Sequence, residues 1–354
     1  MVKLPENIVV GISIGDLNGI GCEVVLKTFD DPRMLELCTP VIFANVKMIS
    51  FLKKSFDFVS PLHGVDSLES IVHGKINIYN CWKENFTLEY GVADETVGKY
   101  AIKSFVEATD ALKENKIDVL VTAPINKYNI QSETFKFPGH TDYLNQVLEG
   151  DALMLMVSGA LRVGLLTDHV PVNEVSKHIT EALLRKKVMV TNKTLKQDFK
   201  ISKPKIAVLG LNPHCGDQGV IGNEDDQIIK PAIAKLFEEG VFVFGPYAAD
   251  SFFGSNQYQN FDAILATYHD QGLIPFKTLS FGNGVNFTAG LSHVRTSPDH
   301  GTAFDIAGKN KADYQSFKEA VYLAIDVYKN RNEYAELTSN VLKIKEKQLE
   351  SKKS

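Results

Sequence analysis

The sequence predicts an α/β protein of two domains, on three observations. Short apolar runs that read as buried strands recur between stretches of helical periodicity along most of the chain. The 354 residues exceed the length at which a single hydrophobic core stops growing. Near the start, Ile8 to Ile14 runs into Gly15-Asp16, and Gly19-Ile20-Gly21 then opens a helical pattern from Glu23 to Thr28. That is strand, glycine turn and helix, the first half of a βαβ unit.

The glycines at 15, 19 and 21 do not have the GxGxxG spacing of a dinucleotide fingerprint, so we read them as a tight turn with close helix packing. A strand at Pro40 to Ala44, a helix, and a strand at Ile76 to Tyr79 follow. Val97, Tyr100, Ala101, Phe105, Ala108 and Leu112 then recur at helical spacing and lead into a buried strand, Asp118 to Ala123. Its end carries Pro124-Ile125-Asn126-Lys127, which puts a cation at the sheet edge where open α/β folds bind ligands. Leu153 to Ser158 and Leu161 to Thr167, separated by Gly159-Ala160, predict a hairpin, part of a second domain or an arm that packs on a partner. A broken helix from Val172 to about Phe199, a strand at Lys205 to Leu209 and a helix at Gln227 to Glu239 restore the alternation. The strand Ala263 to Thr267 opens a stretch, Asp262 to Gly308, in which an apolar run breaks into His, Asp and Gly, and the region from Lys277 through Asn286 reads as a glycine-broken loop. The last helix, Tyr314 to Tyr328, is followed by a Lys/Glu-rich tail that reads as a solvated surface helix or a frayed end. There is no internal repeat and no low-complexity linker.

With 44% hydrophobic and 23% charged residues the composition is that of an ordinary globular protein. A formal charge of -5 and a pI near 6.0 argue against general nucleic-acid affinity but leave room for small anions held by a few local cations. The first residues are too short and polar before the first apolar run for a secretory signal, and no apolar run reaches the ~20 residues of a membrane span. Cys22, Cys38, Cys81 and Cys215 have no paired spacing, so a reduced, cytoplasmic protein is expected.

Three constellations carry candidate chemistry. His169, His214 and His269 each follow an apolar strand, so all three are placed to project from one sheet edge. A single histidine beside a strand end is ordinarily a hydrogen-bonded structural residue, but three in equivalent contexts match a catalytic divalent-metal set. Asp168, Asp217 and Asp270 adjoin them as acceptors that would fix the imidazole tautomers. His63, His73 and His178 lack this context. The second constellation is His140, Thr141, Lys277, Asn286 and Arg295, loop residues near glycines or prolines that suit a phosphate or carboxylate, although Lys277 and Arg295 taken singly read equally well as surface charges. The third is Asp299-His300-Gly301-Thr302-Ala303-Phe304-Asp305, a turn leading to an acidic residue that suits a nucleotide ribose.

Read together, these segments resemble the 4-hydroxythreonine-4-phosphate dehydrogenase family of the pyridoxal phosphate pathway. The resemblance rests on Thr122-Ala123-Pro124-Ile125-Asn126-Lys127, Pro138 to Leu144, Leu211-Asn212-Pro213-His214, Tyr268 to Leu273 and Arg295 to Ala303, in the family's order. The last segment, with Asp305-Ile306-Ala307-Gly308, is also similar to the nucleotide loop of isopropylmalate and isocitrate dehydrogenases. The resemblance implies their two-domain fold, with mixed sheets and a cleft between domains: 1–125 with 300–354 on the nucleotide side, 126–299 for metal, substrate and dimerisation. It implies that His169, His214 and His269 bind one divalent metal, zinc before magnesium, cobalt or manganese, shared between the subunits of a homodimer. It makes His140, Thr141, Lys277, Asn286 and Arg295 contacts of a small phosphorylated substrate, and His300, Gly301, Thr302 and Asp305 contacts of NAD or NADP. Lys277 and Asp250 are the candidate catalytic side chains, with a metal-bound water as the alternative base to Asp250. The reaction implied is oxidation of 4-phosphohydroxy-L-threonine at C3 with decarboxylation. A paralogous dehydrogenase of threonate or erythronate 4-phosphate and a metal-dependent phosphometabolite hydrolase are the alternatives. The chain departs from the family at Asp16-Leu17-Asn18, at Asp142 and at Cys215, where Glu-Pro-Ala, Glu and Ala are usual.

Overall fold

The structure is a computed structural model that describes residues 7–84, 87–133 and 135–339. Most of the Lys/Glu-rich tail therefore lies outside the described residues. Twelve strands form one mixed sheet: β1 (Ile8–Ser13), β2 (Cys38–Ala44), β3 (Leu62–Val65), β4 (Ile76–Asn80), β5 (Val119–Thr122), β6 (Gly150–Ser158), β7 (Leu161–Leu165), β8 (Ile206–Leu209), β9 (Val243–Tyr247), β10 (Ala263–Ala266), β11 (Val285–Leu291) and β12 (Val294–Pro298). Their spatial order is β3-β4-β2-β1-β5-β12-β11-β6-β7-β10-β8-β9.

Two parallel blocks make up this sheet. The strands from β3 through β12 run one way, and those from β7 through β9 are parallel among themselves. Between them β11 and β6 pair antiparallel to each neighbour, so the second block runs opposite to the first. The predicted hairpin is found, with Leu155 opposite Gly164. It is the seam of the sheet, since β6 joins β11 on one side and β7 joins β10 on the other.

Two readings are corrected. The segment after Lys277 is not a glycine-broken loop throughout: Val285–Leu291 and Val294–Pro298 are central strands, because Val285, Phe287, Ala289 and Leu291 alternate and are buried despite the glycines on either side. Likewise His269-Asp270-Gln271-Gly272 does not break the chain. It begins a helix, His269–Ser280, that runs on through Pro275. Gly272 makes this possible, since a Cβ there would come within 2.9 Å of the Ala266 side chain and 3.0 Å of those of Val163 and Leu165. The helix therefore lies directly on β7 and β10 and carries His269 at its first turn.

Buried apolar residues follow the same division. One core cluster takes residues from Ile8 to Val157 and again from Val285 to Val327. The other two draw on residues 156–276. The broken helix near residue 180 is confirmed, with Thr180 accepting from Leu183 N at the start of Glu181–Gln197. No described helix is long and apolar enough to cross a membrane.

Candidate active site

A cavity of about 260 Å³ lies over the seam. Met154 and Met156 of β6 and Asn286 of β11 line it, the ends of β5 and β12 supply Thr122, Ala123 and Ser297, and the segments after β7 and β10 supply His169 and His269. The C-terminal ends of two oppositely directed blocks thus serve one pocket.

The anion-binding residues expected from sequence converge here: His140, Thr141, Lys277, Asn286 and Arg295 all line it. Arg295 is 2% exposed. Its Nε and Nη2 donate to Thr122 Oγ1 (3.2 and 2.6 Å) and its Nη1 to Thr288 Oγ1 (3.0 Å). Burial, with no carboxylate among the described residues to offset it, pushes the guanidinium down to about 9, which leaves it cationic at neutral pH. Lys277 Nζ donates to Asp299 O at 3.1 Å. His140 packs edge-on to Phe105 with centroids 4.6 Å apart. Burial first, and then the charges of Arg295 and Lys127, hold its pKa well below the usual imidazole value, so it is neutral. Buried polar atoms without a hydrogen-bond partner cluster at this cavity: His140 Nε2, Asn286 Oδ1 and His300 Nε2 are all in its lining. Such atoms are rare in folded proteins, and three at one cavity mark where a polar ligand belongs.

The three strand-end histidines do follow three adjacent strands, β7, β8 and β10. Thr167 Oγ1 donates to Thr267 O (2.7 Å), and Gln271 Nε2 donates to Gly210 O (2.6 Å), lacing the strand ends together. His169 and His269 meet in the pocket with ring centroids 6.0 Å apart. His269 Nδ1 lies 2.7 Å from Asp270 Oδ1, the acceptor expected from sequence, while the Asp168 carboxylate accepts instead from His169 N (3.0 Å). His169 Nε2 is 3.3 Å from Lys127 Nζ. Desolvation, then Lys127, lowers its pKa, which keeps the imidazole in the neutral form a metal requires.

His214 is placed differently. It is exposed and absent from the pocket lining. It opens a run in which His214, Cys215, Gly216, Asp217, Gln218 and Gly219 all have positive φ, between 43° and 92°. One turn of left-handed helix costs about 1–2 kcal/mol for each non-glycine residue, so the surroundings must hold it in place. Asp225, fully buried, accepts from Leu211 N (2.8 Å), Asn212 N (2.9 Å) and Asn212 Nδ2 (3.0 Å), and Glu224 accepts a further bond from Asn212. Asp250 is also exposed and outside the lining. It lies on the His214 side of the molecule, close enough to help raise the Cys215 thiol pKa, although burial and Asp225 matter more.

The nucleotide set is divided. His300 and Gly301 line the cavity, whereas Thr302 and Asp305 do not. Thr302 O accepts from Ile20 N at 3.0 Å, and Gly19 packs on Thr302. Asn18, which the sequence marks only as a departure from the family's turn, ties the same corner together: its backbone O accepts from Gly91 N (2.9 Å), its Oδ1 from Glu89 N (2.9 Å), and its Nδ2 donates to Val92 O (2.9 Å). Tyr90 packs against Gly308, so the turn at 15–21, residues 89–92 and the loop 302–308 form one patch. Sequence reasoning also missed Met154 and Met156, ordinary strand residues whose only signal is position, and gave no role to Thr122 and Ser297, although both stand in segments that carry the resemblance.

Among the described residues no group of three or more His, Cys, Asp or Glu side chains is arranged to hold a metal ion. His169 and His269 alone fall one short of the three protein ligands of a catalytic zinc.

The chain is similar to known proteins over most of its length. A 4-hydroxythreonine-4-phosphate dehydrogenase of Bacteroides thetaiotaomicron is 48% identical over 324 residues, 91% of this chain and 89% of the relative. One of Sulfurihydrogenibium sp. is 40% identical over 326 residues, covering 92% and 98%. The solved structure of a putative 4-hydroxythreonine-4-phosphate dehydrogenase from Salmonella typhimurium superposes with a TM-score of 0.79 at 30% identity, covering 91% of this chain and all of that one. A family model described as pyridoxal phosphate biosynthetic protein PdxA matches residues 36–324, and the chain belongs to that family.

Proposed function

We propose that this protein is the dehydrogenase that oxidises 4-phosphohydroxy-L-threonine at C3 with NAD or NADP and releases CO2 to form 3-amino-2-oxopropyl phosphate, in pyridoxal 5'-phosphate biosynthesis. The observation that carries the reading is Arg295: a buried guanidinium without a counter-ion among the described residues, in a pocket whose lining also holds Lys277 and three unpartnered buried polar atoms. A buried charge of this kind is costly unless an anion neutralises it, and the substrate brings both a phosphate and a carboxylate.

In this reading Arg295 and Lys277 hold an oxyanion of the substrate, and neutral His140 with Thr141 and Asn286 fixes its remaining polar groups. His169 and His269 provide two ligands for a divalent metal, zinc foremost, and His214 of a second copy completes the set. Asp250 comes from the same side of that second copy and takes the proton of the C3 hydroxyl. When bound, the metal supplies Lewis-acid polarisation of that hydroxyl and the nicotinamide accepts the hydride. His300, Gly301, Thr302 and Asp305 hold the dinucleotide beside the turn at Gly19. The working unit is then a cytoplasmic homodimer, each chain divided into a nucleotide lobe (1–125 with 300–354) and a metal, substrate and dimerisation lobe (126–299).

Incubation with a divalent metal, NAD and 4-phosphohydroxy-L-threonine should raise the absorbance of NADH, with kcat/KM higher than on threonate or erythronate 4-phosphate. Release of inorganic phosphate without NADH would instead identify a hydrolase. Mixing chains that carry His214→Ala with chains that carry Arg295→Met tests the shared site. Activity should return in the mixture, and two silent partners that stay silent together would rule the sharing out.

A further inference from the structure

Arg295 is held in an unusual way for a buried cation. Three adjacent central strands supply the parts: Thr122 at the end of β5, Arg295 on β12 and Thr288 on β11. Both threonines are fully buried. The side edge of the guanidinium, Nε and Nη2, closes on Thr122 Oγ1 at 3.2 and 2.6 Å, and Nη1 reaches Thr288 Oγ1 at 3.0 Å. A guanidinium has five N–H donors. Three are thus engaged, and one N–H on each Nη remains for the cavity. A carboxylate in place of either threonine would hold the group equally well but would also cancel its charge. Hydroxyls fix the direction of the guanidinium and leave the charge intact. Thr122 itself lines the cavity, and Thr288 does not.

We infer that Thr122 is a positioning residue for anion recognition: its hydroxyl oxygen caps the Nε edge of Arg295, so that the two remaining N–H groups face the cavity as a fork for a substrate oxyanion. The inference rests on the reading of Arg295 as a substrate contact, and it adds the residue that makes Arg295 directional and a reason why that residue is neutral. Replacing Thr122 Oγ1 with a methyl group lets the guanidinium rotate or leaves two of its donors unmet. Anion affinity then falls because the fork is lost, although the cation stays.

The test is binding of inorganic phosphate to the full chain, followed by calorimetry and by the rise in Tm it produces. Thr122→Val should weaken phosphate binding about tenfold, the scale of one hydrogen bond to a charged group. Thr122→Ser, which keeps the oxygen, should bind phosphate within about threefold of the natural protein on the same scale. With substrate, Thr122→Val should raise KM more than it lowers kcat, a split that a general loss of structure would not produce. If Thr122→Val does not fold, Thr122→Cys keeps the volume with a poor acceptor and carries the same expectation. Phosphate binding that is intact in Thr122→Val but lost in Arg295→Met overturns the role of Thr122 and leaves that of Arg295 standing. Binding unaffected in both overturns the reading of Arg295 and the inference with it.

Discussion

The Arg295 corner and the His214 turn hold reactive side chains by opposite means. Arg295 projects from a central strand, is buried on every side but one, and takes its direction from hydroxyls on the two neighbouring strands. His214 stands exposed on a left-handed turn whose entry is anchored by Asp225, through Leu211 and Asn212. The first arrangement stores its cost in a buried charge, the second in backbone strain. A buried charge is useful where a ligand must come in, whereas strain is useful where a side chain must reach out. On the proposed reading the comparison ties each residue to a direction: Arg295 would serve the pocket of its own chain, and His214 that of a second copy.

The largest effect should come from His214→Ala. Metal content should fall and turnover vanish, while the unfolding free energy changes by no more than the ~0.5 kcal/mol typical of surface substitutions. Full metal occupancy at a normal rate would remove His214 from the site and with it the outward half of the comparison. Arg295→Met should come next, lowering kcat/KM by about 10²–10³, as loss of a buried charge-assisted contact does. Because it exchanges an uncompensated buried cation for an apolar side chain, it should also leave Tm unchanged or raise it. A protein that loses activity and stability together would show the guanidinium to be structural.

Much of the first corner was legible in the sequence and little of the second. Strand ends breaking into His, Asp and Asn pointed to the pocket, and His140, Thr141, Lys277, Asn286 and Arg295 meet there although they lie far apart along the chain. Thr122 opens a segment that carries the resemblance, but its role was hidden because nothing local separates a strand-end threonine that faces a ligand from one that faces the core; only the pairing of β5 with β12 decides it. Val285–Leu291 was misread because the glycines near it outweighed a period-two pattern, and the partner strands β6 and β12 stabilise the strand from outside its own sequence. The left-handed turn was beyond reach for a related reason. Only Gly216 and Gly219 hint at positive φ, and the carboxylate that anchors the chain just before the turn, Asp225, lies several positions downstream.

That explanation of the turn can itself be broken. Asp225→Asn puts an amide where Leu211 N and Asn212 N need acceptors, and should cost about 1–3 kcal/mol of stability, measured by urea unfolding. Gln218→Gly should act the other way. It removes a left-handed side chain at φ 56°, and the relief of about 1–2 kcal/mol outweighs the 0.5–1 kcal/mol that glycine loses in entropy. A drop in stability with Gln218→Gly would mean that the turn is not strained, and the contrast with the Arg295 corner would have to be given up.

The smallest effect is the one that tests the electrostatics of the pocket, through His140. Its pKa in the folded protein lies well below the ordinary 6.5, through burial and then through Arg295 and Lys127. As pH falls through about 6.5 the unfolded chain takes up a proton that the folded chain refuses, so the unfolded state binds more protons and stability declines. The decline begins near the unfolded pKa and ends only below the folded one. Unfolding free energy measured at pH 7.5 and 5.5 should therefore fall further for the natural protein than for His140→Gln, whose other histidines and carboxylates titrate alike. Parallel losses in the two proteins would show that His140 is not held neutral. A saturating oxyanion beside Arg295 should shrink the difference between them, since its negative charge offsets the cations that help keep the imidazole unprotonated.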